Sequence, residues 1–354
     1  MDLKTFIRKE VLIQKGYQVD TTSCRVKMDA MENPFALPPL LREKLSEAMK
    51  NIPLNRYPEP GAPIIRKKFA RHYGVDANMI MIGNGSDELI QTLCSAFINS
   101  SSTVIVPLPT FVMYRIIAVN TGHKIIEVPL DDMYELDLDA VLAQITRNSP
   151  VLIFLSYPNN PTGNCFSIEK IITIIEKSPG IVIVDEAYGN FSGQTLLPLL
   201  KRYDNLVILK TLSKVGLAGI RIGFLIGSPS LIYELDKIRL PYNINTLSQV
   251  AAGFYLDHLD IFTGQIQDIV QRREELLSAL RKINGIKPYP SQANFIFFSC
   301  DFDTDSVYKD LVKEGVLIKN LNSPGMLRNC MRVTVGTQDE NNEFLKALKK
   351  VLLK

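Results

Sequence analysis

The chain has 354 residues, 46% hydrophobic and 22% charged, a composition that suits a soluble globular protein with room for a main domain and a smaller one. With 40 basic and 37 acidic residues the formal net charge is +3, spread without a dense basic run, which speaks against nucleic acid or an anionic membrane as partner. No apolar stretch approaches the roughly 18 residues of a membrane span, and five dispersed cysteines without a CxxC pair point to reduced thiols in a cytoplasm.

Taken in order, the residues through about Met28 read as an N-terminal arm without a signal-peptide core. Glu32-Asn33-Pro34 and the proline-rich stretch 57–63 are loops. Short β-branched runs then alternate with amphipathic stretches. Strands are predicted at 79–82, 103–106, 124–128, 151–155, 181–184, 206–209 and 222–226, with helices between them, for example at 87–97 and 168–177. Several of these runs are apolar throughout, as strands buried on both faces of a mostly parallel sheet must be. The alternation predicts an α/β layered domain with ligand groups at the carboxyl ends of its strands. After Asn245 the pattern changes. One long helical stretch covers about 246–281, followed by short strands at 294–298, 316–319 and 331–335 and a lysine-rich terminal helix. The organisation expected is an arm (1–28), a large domain (29–245) and a small α/β domain (246–354).

Chemistry-bearing residues fall at strand ends. Thr211-Leu212-Ser213-Lys214 closes one apolar run, and Arg221 follows seven residues later. A lysine among small hydroxyls, with a guanidinium close behind, suits covalent capture of a carbonyl cofactor beside a phosphate. The run 181–184 ends in Asp185-Glu186-Ala187-Tyr188, where a carboxylate can hold a pyridine nitrogen protonated and Tyr188 can donate to a ring oxygen. A capped helix after a strand would look the same. Ser156-Tyr157-Pro158-Asn159-Asn160-Pro161-Thr162-Gly163 is a rigid loop that can aim Asn160 at the same oxygen. Gly83-Asn84-Gly85-Ser86-Asp87-Glu88 lies between strand and helix, where free N–H groups attract phosphate, although Ser86 could equally be a helix cap. Phe111 can stack on a ring or simply fill the core. Only three histidines are present (His72, His123, His258), so a histidine metal site or Ser-His triad is hard to assemble and no metal is expected.

Together these segments resemble the fold-type I, pyridoxal-phosphate-dependent class I/II aminotransferases over nearly the whole chain. Met31-Glu32-Asn33-Pro34-Phe35, Asn55-Arg56-Tyr57-Pro58, Leu240-Pro241-Tyr242-Asn243-Ile244-Asn245 and Met331-Arg332-Val333-Thr334-Val335-Gly336 look most like the histidinol-phosphate branch of that family. The resemblance implies pyridoxal 5'-phosphate bound to Lys214, with Asp185 at the ring nitrogen and Asn160 and Tyr188 at the ring oxygen. Gly85, Ser86, Asp87, Thr211, Ser213 and Arg221 would hold the phosphate, and Phe111 the ring face. Tyr57 would reach the cofactor phosphate of a neighbouring subunit, making a homodimer with sites at its interface. Asn33, Tyr242, Lys319 and Arg332 would meet the small-molecule substrates, histidinol phosphate and glutamate or 2-oxoglutarate. The family's other readings are an aromatic or general aminotransferase, a lyase resembling threonine-phosphate decarboxylase, and an idle regulatory relative. Three positions depart from the pattern. Seven residues separate Lys214 from Arg221 where eight is commoner, Met31 stands where many members have asparagine, and Lys319 where many have arginine.

Overall fold

A computed structural model describes residues 3–14, 16, 20–99 and 102–353. Its described strands, in chain order, are β1 (Val26–Met28), β2 (Ile80–Gly83), β3 (Thr103–Leu108), β4 (Lys124–Pro129), β5 (Leu152–Ser156), β6 (Ile181–Asp185), β7 (Leu206–Thr211), β8 (Gly223–Ile226), β9 (Ile286–Pro288), β10 (Phe295–Cys300), β11 (Val316–Asn320) and β12 (Cys330–Thr334). Seven form one sheet in the order β2-β8-β7-β6-β5-β3-β4. Strands β3 to β7 run parallel, while β8 is antiparallel to both of its neighbours. The seven runs expected from the sequence are therefore the seven strands, with ends displaced by a few residues at most.

Alternation explains why this sheet is buried on both faces. In β6, Val182 and Val184 pack into the cluster of Ile153, Leu155 and Ile208, whereas Ile183 packs the other way with Phe154, Val207 and Leu209. At the edge, β4 carries the charged Lys124 and Glu127 outward, which discourages pairing with another chain. Helices cover both faces. The helix Ile168–Lys177 is capped by Ser167, whose hydroxyl accepts from the Lys170 N–H, and it turns Ile171, Ile174 and Ile175 inward at helical spacing.

The second sheet has the order β1-β11-β12-β10-β9. Its β1 comes from near the N-terminus and lies parallel to β11. The terminal helix Gln338–Leu352 begins with a reciprocal capping box, Thr337 with Glu340, and buries Phe344, Leu348 and Val351 beneath this sheet. The long helix expected over 246–281 is instead two, Thr246–Asp257 and Leu259–Leu280. His258 leaves helical geometry between them (φ −133°, ψ 35°), and its Nδ1 pairs with the Phe254 carbonyl. Hydrophobic spacing continues across this corner, so periodicity alone reads through it.

Candidate active site

Three neighbouring parallel strands end at one pocket, each with a polar last residue. Ser156 closes β5, Asp185 closes β6 and Thr211 closes β7, and all three line a cleft of about 550 Å³ of open space. This is where a parallel sheet presents ligand groups, since the loops leaving adjacent strands diverge there.

Asp185 is buried, 3% exposed. Its Oδ2 accepts from the Tyr114 hydroxyl at 2.8 Å and its Oδ1 from the Ala187 N–H at 3.0 Å. Burial pushes its carboxyl up to about 6, against the pull of those two hydrogen bonds. No basic side chain bonds it among the described residues, so the site holds an acidic group suited to a cationic ligand atom. Tyr114 was not foreseen from the sequence. It lies in the helix Val112–Thr121, edge-on to Phe111 just before that helix, with ring centroids 5.4 Å apart, and no local motif distinguishes it from a core tyrosine.

Lys214 follows β7 in the wide turn Ser213–Leu217. Its Nζ donates to the Ala30 carbonyl at 3.3 Å and lies 5.6 Å from the centre of the Tyr188 ring. Burial, then the positive charge of Arg332, lower its ammonium to about 8. Above this lysine the segment Asp29–Asn33 forms a roof pinned by the second sheet. Arg332 donates to the Asp29 carbonyl at 3.0 Å, Asn294 to the Met31 carbonyl at 3.0 Å, and the Met31 N–H donates to Thr334 at 2.9 Å.

At the other end of the pocket, Thr211 donates to Ser213 Oγ at 3.0 Å, and Arg221 donates to the same oxygen at 3.4 Å. Arg221 also pairs with Asp87 at 3.5 Å. Gly85 and Ser86 stand where the helix Ser86–Ala96 begins without a side-chain cap, leaving first-turn N–H groups to an anion. Gly85 has φ +83° and ψ 165°, a region open essentially to glycine. A Cβ there would lie 2.6 Å from Arg221 Nη2, and one on Gly223 would lie 2.5 Å from the Ser86 nitrogen.

Most residues expected at the site thus meet in one cleft. Ser86, Asp87, Phe111, Asn160, Asp185 and Tyr188 line it, as do Thr211, Ser213, Lys214 and Arg221. Asn160 donates to the Tyr188 hydroxyl at 3.4 Å, and its Oδ1 accepts from Arg332. Arg332, buried on β12, therefore sits directly behind the lining. Met31, one of the departures from the family pattern, reaches the pocket and takes the Tyr188 hydroxyl on its sulfur at 3.0 Å. Asn33 does not line the cleft. Its amide donates to Gln265 at 3.1 Å and accepts from the Phe35 N–H. Tyr57 and Tyr242 stack on each other at 4.5 Å, both exposed and outside the lining. Lys319 is half-buried opposite Arg332 in the β11–β12 ladder, so the two cations share a face. Arg328 is exposed. Among the described residues no His, Cys, Asp and Glu group could hold a metal, and no helix is long and apolar enough to cross a membrane.

Comparison with known proteins assigns the chain to a family. The family model described as aminotransferase class I and II matches residues 25–348. Histidinol-phosphate aminotransferase 2 of Nitrosococcus oceani is 46% identical over 97% of this chain and 96% of its own. Histidinol-phosphate aminotransferase of Caldanaerobacter subterraneus subsp. tengcongensis is 39% identical over 99% of both. A solved structure of histidinol-phosphate aminotransferase from Sinorhizobium meliloti, in complex with pyridoxal-5'-phosphate, superposes with TM-score 0.86 at 24% identity, covering 94% of this chain and 92% of that one, and so shares the fold. The chain belongs to the class I and II aminotransferases.

Proposed function

We infer that the protein is a histidinol-phosphate aminotransferase, moving an amino group between histidinol phosphate and 2-oxoglutarate on pyridoxal 5'-phosphate, within histidine biosynthesis. One observation carries the reading: a lysine whose ammonium is lowered to about 8 lies in one pocket with a buried carboxylate and an uncapped helix start. The residues fit the cofactor. A Cβ at Gly85 would collide with Arg221, so the phosphate end is a cradle kept open by glycine, and the acidic Asp185 matches a protonated pyridine nitrogen.

The bound cofactor supplies an aldehyde for amine exchange and a ring that withdraws electrons from the substrate Cα. The chain's residues do the rest. Lys214 would be the amine that holds the cofactor and, once neutral, would take up and deliver the proton at the substrate Cα. Asp185, itself oriented by Tyr114, would keep the ring nitrogen protonated. Asn160 and Tyr188 would donate at the ring oxygen and Phe111 would cover the ring, while the first-turn N–H groups of Ser86 and Asp87, with Thr211, Ser213 and Arg221, would hold the phosphate. Arg332, with Lys319 on the same face, serves substrate anions, phosphate in one half-reaction and carboxylate in the other. Asn33 and Tyr242 shape the substrate entrance.

A homodimer completes this reading. Tyr57 and Tyr242, with Leu54, Ile64 and Leu240, are large apolar groups left exposed on one chain, as a surface covered by a second copy would be. Tyr57 then reaches the partner's phosphate site. Five unpaired cysteines support a reducing cytoplasm. The domain division proposed is an arm (1–28), a large domain (29–245) and a small domain (246–354), with β1 of the arm pairing with the smaller sheet.

The test is a half-reaction. Holoenzyme is mixed separately with L-histidinol phosphate, L-phenylalanine and L-threonine phosphate while the absorbance of lysine-bound cofactor is followed. Bleaching by histidinol phosphate, restored by 2-oxoglutarate, is expected. Preference for phenylalanine moves the protein to another aminotransferase branch, and carbon dioxide release from threonine phosphate makes it a lyase. Lys214→Ala abolishes turnover and leaves a folded dimer; substantial residual turnover would reject the lysine's assignment.

A further inference from the structure

Directly beneath the pocket, on the opposite face of the sheet, lies a buried ion pair that the chemistry above does not use. Alternation along β6 and β7 sends Asp185 and Thr211 to the cofactor side and their neighbours Glu186 and Lys210 to the other. Lys210 Nζ lies 2.6 Å from Glu186 Oε2, with side chains 7% and 0% exposed. Glu186 also accepts from the Leu196 N–H at 2.7 Å and from the Thr195 hydroxyl at 2.8 Å. The ammonium sits 5.2 Å from the centre of the Tyr73 ring. The Glu186 N–H meanwhile donates to the Leu209 carbonyl at 2.8 Å. Glu186 is therefore bound to β7 by both backbone and side chain, at the point where β6 stops being a strand.

Buried ion pairs are poor sources of stability, because desolvation consumes most of the attraction. Retaining one here calls for another explanation. We propose that the Glu186–Lys210 pair is a positioning device for the reaction. It locks the ends of β6 and β7 in register, and so fixes the separation between the carboxylate that faces the ring nitrogen and the hydroxyls that face the phosphate. Neither residue touches the cofactor. Each acts through the residue beside it, Glu186 through Asp185 and Lys210 through Thr211. The same contacts hold the 195–196 turn against the strand ends, which stops β6 from tilting away from the cleft. This inference rests on the cofactor reading above.

The test uses the double variant Glu186→Gln/Lys210→Met in the full-length protein. Glutamine can keep the bonds to Thr195 and Leu196, and methionine keeps the lysine's bulk, but the link between strands is gone. The apoprotein is expected to melt near the wild-type temperature. Pyridoxal phosphate is expected to bind about tenfold more weakly, and kcat to fall between about tenfold and a hundredfold, with the KM for 2-oxoglutarate moving much less. A shift in the pH midpoint of the lysine-bound cofactor's absorbance would mark the altered placement of Asp185. Wild-type cofactor affinity, kcat and midpoint in the folded double variant would overturn the proposal. If that variant fails to fold, Glu186→Asp keeps the charge and shortens the reach by one methylene. A folded Glu186→Asp protein indistinguishable from wild type in the same three readouts overturns it as well. Should the wild type show no lysine-bound cofactor at all, the cofactor reading fails instead, and the two failures are thereby separated.

Discussion

Replacing Gly85 by alanine tests the phosphate cradle through geometry alone. The substitution carries two separable costs. Backbone at φ +83° and ψ 165° costs an L-residue about 1–3 kcal/mol, felt by the apoprotein as a lower melting temperature. The new Cβ would also lie 2.6 Å from Arg221 Nη2 and 3.2 Å from its Cζ, so the guanidinium must withdraw. Losing a charge-assisted bond to phosphate costs about 1.5–3 kcal/mol, which weakens pyridoxal phosphate binding by about tenfold to somewhat over a hundredfold. Apoenzyme would be titrated with the cofactor and binding followed by absorbance, alongside thermal melts with and without cofactor. Gly219→Ala is the control, since a Cβ there meets nothing within 4 Å and its φ is unstrained. Cofactor affinity within about twofold of wild type in Gly85→Ala would refute the argument that Arg221 and the glycine turn form one cradle.

Other outcomes follow from the same pocket. Asp185→Asn should keep the fold and some cofactor but lower kcat on the order of a hundredfold or more, read by steady-state turnover; near-normal turnover would remove Asp185 from the ring nitrogen. Lys214, lowered from 10.5 to about 8 by burial and Arg332, should capture the cofactor's aldehyde at a rate that rises with pH and is half-maximal near 8. The sign for stability follows: the unfolded chain keeps this proton to higher pH than the folded one, so the apoprotein gains stability as pH climbs from about 8 toward 10.5. Asp185 is raised from 3.8 to about 6 by burial, so cofactor affinity should fall as pH drops through about 6, measured by equilibrium titration. Tyr57→Phe should leave the dimer intact in sedimentation while weakening cofactor binding about fivefold, one hydrogen bond's worth.

The main sheet was legible because its strands are buried on both faces, and burial there demands unbroken apolar runs such as 152–155 and 206–209. The lining of the cleft was legible because strand ends and glycine turns carry chemistry at fixed places. Less legible were features set by distant partners. β9 is only Ile286–Pro288 and owes its existence to β10. Nothing within the Tyr114 helix announces that its hydroxyl meets Asp185, 71 positions away. The strand direction of β8 is invisible to residue patterning, as is the corner at His258. Equally hidden from local reading is the bond from the Asn33 amide to Gln265, 232 positions later.

The roof over Lys214 has a consequence for how the enzyme comes into being. Its residues are made long before their anchors: Asp29 is held by Arg332 across 303 positions and Met31 by Asn294 across 263. During synthesis, the strand ends carrying Asp185 and Thr211, and the turn carrying Lys214, emerge well before either anchor exists. A nascent chain can thus build the floor of its reaction chamber while the ceiling has nothing to hang from. Closure of the chamber becomes a late event of translation, and a ribosome that stops short of β12 leaves a reactive lysine without its cover.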